Sequence, residues 1–253
     1  MDDGVNLTRA SAIELQAAEL LVDLIPSAEM VKFAKNGSTV TTAAVKLARA
    51  YTGRNRIAFC ADHPFFSYDD WFIGSVVMDR GIPPEIKNLS LQFQYNDITS
   101  LEKLFSEYPD QIAAVMLEPC TNEPPQNNFL LRVQELCAKQ KTVFILDEMI
   151  TGFRWHLQGA QTLFNVLPDL TTFGKGMANG FSVAALTGKR EIMDLGGIRK
   201  EGAERVFLIS TTHGAEMPGL AAFVKTMEIY KKENVVEHLW SYGKKLTDGI
   251  NSI

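Results

Sequence analysis

Cysteine is scarce in this chain. Cys60, Cys120 and Cys137 are its only three in 253 residues, and each stands alone in an apolar stretch. That excludes a disulfide framework. With four scattered histidines it also offers no zinc-ligand spacing. The cysteines read as reduced core residues of a cytoplasmic protein. No apolar run approaches the ~20 residues that cross a bilayer. The N-terminal MDDGVNLTRASAIE lacks the charged-then-apolar pattern of a secretory leader. An excess of base is missing too. The net charge of −5 gives no basic surface for nucleic acid or anionic lipid. Internal repeats, low-complexity tracts and obvious linkers are absent. A hydrophobic share of 46% against 22% charged residues suits a folded chain, and the length allows one large α/β domain or two small ones.

What is present alternates between strand and helix patterns. Apolar residues recur at helical spacing from Ser11 to Leu24, and Pro26 closes that helix. Met30 to Phe33 reads as a strand, followed by a helix that begins near Gly37 and runs to about Tyr51. Strands are predicted at Arg56–Cys60, Leu89–Phe93, Gln111–Leu117, Val143–Leu146, Ser182–Thr187 and Val206–Ser210. Helices are predicted at Ser100–Tyr108, Phe129–Gln140, from Glu191 to Leu195, at Gly219–Lys232 and at Val235–Ile250. Apolar strands alternating with helices predict a three-layer αβα fold, with a mostly parallel sheet covered on both faces.

The stretch from Thr142 to Arg190 carries the chemistry. Its apolar strand ends in Asp147 and Glu148, and strand C-terminal ends are where open α/β sheets place their sites. Lys175 follows 28 residues after Asp147, between Gly174 and Gly176. A lysine that loses its proton can form a Schiff base. A carboxylate against a pyridine nitrogen keeps that ring protonated and able to accept electrons. Enzymes using pyridoxal 5'-phosphate (PLP) combine these two parts. The spacing alone is also met by a solvated loop lysine and a helix-capping acid.

LDEMITGFRW, followed by PDLTTFGKGMANGFSVAALTGKREIM, closely resembles the class III aminotransferases of PLP fold type I. The nearest likeness is to the glutamate-1-semialdehyde 2,1-aminomutases and their relatives. The resemblance implies Lys175 as the lysine that bonds the cofactor and Asp147 as the partner of its ring nitrogen. It places the PDLTT segment in the loop that carries the lysine. Glu148 then supports the loop around the ring, and Arg154 is favoured as a structural ion-pair partner over a substrate-carboxylate ligand.

Gly37, Ser38 and Thr39 stand where a helix begins, which suits either a phosphate or a plain N-cap. The family's small-Gly-Thr-Glu turn grips phosphate here. In NGSTV, Ser38 replaces the usual glycine and Val40 the usual glutamate, which leaves backbone N–H groups and Thr39 for the phosphate. The family's Tyr-His-Gly loop supplies a stacking ring. Counting back from Asp70 puts Phe65 in that place, with Phe66 or Tyr68 as substitutes. A family threonine that reaches the partner subunit's phosphate would be Thr211 or Thr212, which implies a homodimer with shared sites.

Family members also begin before the helix at Ser11 and continue past Ile253 into a small domain. The chain therefore reads as one PLP-binding large domain over 1–253. A leading helix and strand occupy 11–35, and a trailing helix at 233–253 points toward the small domain. The activity implied is transfer of an amino group from a small-molecule amino donor to an oxo acceptor. The alternatives are an aminomutase and a PLP-binding module without turnover.

Overall fold

The computed structural model describes residues 4–7, 9–63, 65–120, 122–209 and 212–252. In chain order the elements are α1 (Ala12–Leu24), β1 (Met30–Ala34), α2 (Gly37–Thr52), β2 (Arg56–Cys60), α3 (Asp70–Ile73), α4 (Pro84–Lys87) and β3 (Ser90–Phe93). They continue with α5 (Ile98–Glu107), β4 (Ile112–Leu117), α6 (Phe129–Gln140), β5 (Val143–Asp147), α7 (Ala160–Leu163) and β6 (Leu170–Phe173). Then come β7 (Ala184–Gly188), α8 (Arg190–Met193), α9 (Met217–Glu233) and α10 (Val235–Asn251).

The strands form one seven-stranded sheet in the order β1-β7-β6-β5-β4-β2-β3. The block from β3 to β6 is parallel, while β7 runs antiparallel to both β6 and β1. Every residue of β4, β5, β6 and β7 is buried. Helices on both sides explain why these strands read as unbroken apolar or small-residue runs.

Strand alternation sorts the side chains into two cores. Ile57, Phe59, Met116, Ile145 and Leu186 face α2, whose Val40, Ala43, Ala44, Leu47 and Ala48 cover them. Ala58, Val115, Leu117, Phe144 and Leu146 face the other way, onto α5 and α6. Farther along that second face, Phe33, Phe173 and Ala185 pack under α1 and α9. Asp147 and Thr172 are paired in the β5–β6 ladder, one register step past the pair Leu146 and Thr171. They therefore point to the α2 face.

The first turn of α2 is what ties the next loop down. Asn36 caps it by accepting the Thr39 N–H at 3.0 Å. Gly53 closes the far end in the left-handed region, φ 69°, donating to the Arg49 carbonyl. Within the helix the Thr41 hydroxyl donates to the Phe66 carbonyl at 2.8 Å. The Trp71 indole donates to Thr42 Oγ1 at 2.7 Å, and Tyr68 N–H donates to Ser38 Oγ at 3.1 Å. The aromatic loop is thereby fixed against the start of α2.

Two segments differ from the sequence expectation. Leu170–Phe173, read as part of the lysine loop, is the buried strand β6. Two threonines hid it, because hydroxyl-bearing β-branched residues fit a strand as well as valine does while breaking the apolar run. Val206–Ile209 was expected as a strand and has no ladder. Its backbone is held by Val206 N–H to the Leu195 carbonyl and by the Lys46 ammonium on the Phe207 carbonyl, and Val206, Leu208 and Ile209 pack half-buried on the α2-side core. Ser210, the end of that expected strand, lies outside the described residues.

Thr41→Val keeps shape and burial but strips the hydroxyl from the Phe66 carbonyl. A lower denaturant midpoint is expected, worth about 1–2 kcal/mol for one buried hydrogen bond. A fluorescence unfolding curve against wild type measures it.

Candidate active site

A cleft of ≈ 590 Å³ opens at the carboxyl end of the parallel strands, where α2 begins. Asn36, Gly37 and Ser38 line one wall, and Phe65, Phe66 and Tyr68 a second. Asp147, Met149, Gly174 and Lys175 form the floor, and Phe181 to Val183 a third wall.

Asp147 ends β5 and is 3% exposed. Its Oδ1 accepts the Met149 N–H at 2.9 Å and the Thr172 hydroxyl at 2.9 Å. Its Oδ2 accepts no hydrogen bond from any described residue. Burial pushes this carboxyl up to about 6, opposed by those two donors and by the Lys175 charge. Glu118, just past the end of β4, is pushed up to about 7 by burial and by the Asp147 charge, with Lys175 opposing. Its N–H donates to His63 Nδ1 at 3.0 Å. A buried acid with one unused oxygen facing a cleft fits a cationic partner such as a protonated ring nitrogen.

Lys175 lies two residues past the end of β6, in a tight helical turn, with φ 37°. This left-handed conformation is costly for a lysine and marks a position held by its surroundings. A Cβ added at Gly174 before it would stand 2.3 Å from the Met149 sulfur and push that side chain aside. The same thioether lies 3.2 Å from a Cβ built on Gly37. Met149 is thus wedged between the start of α2 and the lysine turn, and sets the spacing of the two walls.

Gly37, Ser38, Phe65, Asp147 and Lys175 all line this cleft. Thr39 is not among its lining residues. Both its N–H and its hydroxyl are directed to Asn36 Oδ1, each at 3.0 Å. Gly37 and Ser38 keep the backbone N–H groups that a first helical turn cannot pair internally. Of the three aromatic candidates, Phe66 is buried, with edge contacts to Phe59, Phe72 and His63. Phe65 and Tyr68 present exposed rings. Thr212 is exposed, stands outside its own chain's cleft, and accepts the Asn6 side-chain N–H on its carbonyl at 2.7 Å. Thr211 lies outside the described residues.

Glu148 is fully buried and accepts from the N–H groups of Ala160 and Gln161, the Gln161 amide and the Thr151 hydroxyl. It anchors the following loop. Arg154 donates to the Ile150 carbonyl at 3.3 Å and does not line the cleft. Sequence reasoning assigned no role to Met149, Glu118 or Thr172. An acid after the apolar β4 run was a usable signal for Glu118. A lone methionine carried none.

The sequence matches the family Aminotransferase class-III over residues 6–253. Among curated relatives, 3-aminobutyryl-CoA aminotransferase of Cloacimonas acidaminovorans is 37% identical over 231 residues, 89% of this chain and 53% of that protein. Glutamate-1-semialdehyde 2,1-aminomutase of Acetivibrio thermocellus is 34% identical over 265 residues, 100% of this chain and 61% of that protein. Of solved structures, an omega-transaminase from Sphaerobacter thermophilus has a TM-score of 0.82 at 29% identity, covering 90% of this chain and 56% of the other. The PLP internal aldimine form of Sphingopyxis sp. MTA144 FumI protein has a TM-score of 0.88 at 27% identity, covering 98% and 59%.

The fold is that of a PLP-dependent transaminase of fold type I, with a mostly parallel seven-stranded sheet between helical layers. The chain belongs to the class-III aminotransferases. PLP is the cofactor this membership and the PLP-bearing neighbour support. The chain spans 53% to 61% of the length of these two curated relatives.

The raised acids give the cofactor-free protein a distinctive pH response. Folded Asp147 keeps its proton to about 6 against an ordinary 3.8, and Glu118 to about 7 against 4.5. Between those values the native state binds more protons than the unfolded one, so stability falls as pH rises. Asp147→Asn has no charge to bury. It is expected to match wild type near pH 4 and to exceed it at pH 8, by about 3 kcal/mol for a shift of some two units. Thermal unfolding of both proteins without cofactor at the two pH values checks this.

Proposed function

We propose that this chain forms the cofactor-binding part of a PLP-dependent aminotransferase. It would move an amino group from a small-molecule amino donor to an oxo acceptor. The observation that carries the reading is the unused Oδ2 of buried Asp147, in one cleft with Lys175 and the first amides of α2.

Lys175 would supply the amine that captures the cofactor's aldehyde. When bound, the cofactor supplies an electron sink for the carbanion formed at the substrate carbon. Lys175 Nζ would also take the proton from that carbon and return it elsewhere. Asp147 Oδ2 would hold the ring nitrogen in its protonated form. The N–H groups of Gly37 and Ser38, at the positive end of the α2 dipole, would receive the phosphate. Thr39 contributes by fixing Asn36 and the turn, more than by direct contact. Phe65 or Tyr68 would cover the ring face.

A relative that is an aminomutase supports a second outcome from the same site, in which both half-reactions occur on one molecule. Product analysis separates the two.

The cytoplasm is the proposed location. Burial of Cys60, Cys120 and Cys137 supports a protein at home among reduced thiols. No described helix is long and apolar enough to cross a membrane. A two-fold homodimer is also proposed, in which Thr212 or Thr211 of each chain serves the partner's phosphate. Thr212 being exposed and away from its own cleft supports this.

Borohydride reduction of the PLP-saturated protein, followed by peptide mapping, is expected to place the label on Lys175. An amino donor is expected to convert the visible absorbance band before reduction. A label on another residue overturns the assignment, and a label without donor conversion leaves only a binding module. In sedimentation across a dilution series, PLP is expected to lower the concentration at which dimers form, since a ligand favours the state that binds it. A monomer that keeps PLP throughout refutes the shared site.

A further inference from the structure

We propose that Thr172 is a positioning residue that fixes which oxygen of Asp147 faces the cofactor ring. The inference rests on the reading of Asp147 as the ring-nitrogen partner. Three observations carry it. Thr172 is wholly buried and is the direct ladder partner of Asp147, so the two side chains leave the sheet side by side. Its hydroxyl donates to Oδ1, not Oδ2, at 2.9 Å. The second donor to Oδ1, the Met149 N–H, comes from a different segment, the turn that follows β5. One oxygen is therefore held by two donors from different segments, and the carboxylate plane cannot rotate without breaking one of these bonds.

Strand formation does not explain the residue. Valine has the same shape and β preference. Nor does the neighbouring Thr171 share the task. It points to the opposite face, where its hydroxyl meets Ser27 Oγ at 3.3 Å and its carbonyl receives the Thr187 hydroxyl. Of the two adjacent threonines, one is bonded to structure and one to the functional acid.

A hydroxyl bonded to the ionised carboxylate favours that form. Without it Asp147 becomes a stronger base and competes with the ring nitrogen for the proton. Two variants separate these effects: Thr172→Val removes the hydroxyl, and Thr172→Ser retains it. In cofactor-free protein, the Asp147 titration is read from the stability difference against Asp147→Asn across pH. It is expected to move up by about one pH unit in Thr172→Val, as for loss of one charged hydrogen bond, and to stay in place in Thr172→Ser. In PLP-loaded protein, with the ring nitrogen labelled by nitrogen-15, the Val variant's resonance is expected to move toward that of neutral pyridine. Thr172→Ser is expected to keep the wild-type resonance.

Unchanged titration and an unchanged resonance in Thr172→Val overturn the proposal, as does Thr172→Ser behaving like Thr172→Val. Thr172→Cys, close in size and a weak donor, carries the same test if the Val protein does not fold. The underlying reading fails separately: then Asp147→Asn itself leaves the ring-nitrogen resonance where it is.

Discussion

Burying an ionisable carboxyl at the end of a central strand is the constraint on which the site depends. Asp147 sits among β4, β5 and β6 with almost no access to water. An isolated charge there is costly unless paired and hydrogen-bonded. The protein supplies two donors to one oxygen and leaves the other to whatever enters the cleft. The site is in this sense built incomplete, and a cationic ligand relieves a cost the fold already carries. That accounts for a binding preference before any contact with substrate is considered.

The surrounding parts serve that centre by fixing distances. The first two turns of α2 present amides on one side and hold the aromatic loop through Ser38, Thr41 and Thr42. Met149 fills the space between that turn and the lysine turn, against two glycines that leave it room. Glu148, next to the functional acid in sequence, has the opposite assignment. Its side chain accepts from the first two residues of α7 and from Thr151, so two adjacent carboxylates divide into one that holds structure and one that meets ligand.

Much of this was legible in the sequence, because the β5 run, the two glycines about Lys175 and the alanine-rich α2 each follow a local rule. Arg56–Cys60 and Phe129–Gln140 fall where their patterns put them. What was not legible depends on neighbours distant in the chain. Leu170–Phe173 is a strand because β5 and β7 pair with it, and its two threonines disguise the fact. Val206–Ile209 has strand-like residues, but no strand pairs with it among the described residues. At the start of α2, composition could not say that Thr39 would turn to Asn36 and leave Ser38 to the cleft. That choice is made by the cap, whose geometry is three-dimensional.

The strict alternation of the two sheet faces has one more consequence. Thr171, Thr172 and Phe173 lie on successive sides of a strand whose flanks are both occupied. A slip of β6 by one residue would preserve composition and hydrogen-bond count. Yet a slip one way would put a phenyl ring in place of the hydroxyl beside Asp147, and a slip the other way would carry the Thr172 hydroxyl into the hydrocarbon around Phe173. The segment therefore tolerates substitution more readily than insertion or deletion. In descendants of this chain, changes of length should collect in loops such as 74–83 and 196–205, and spare the four residues between Asp169 and Gly174.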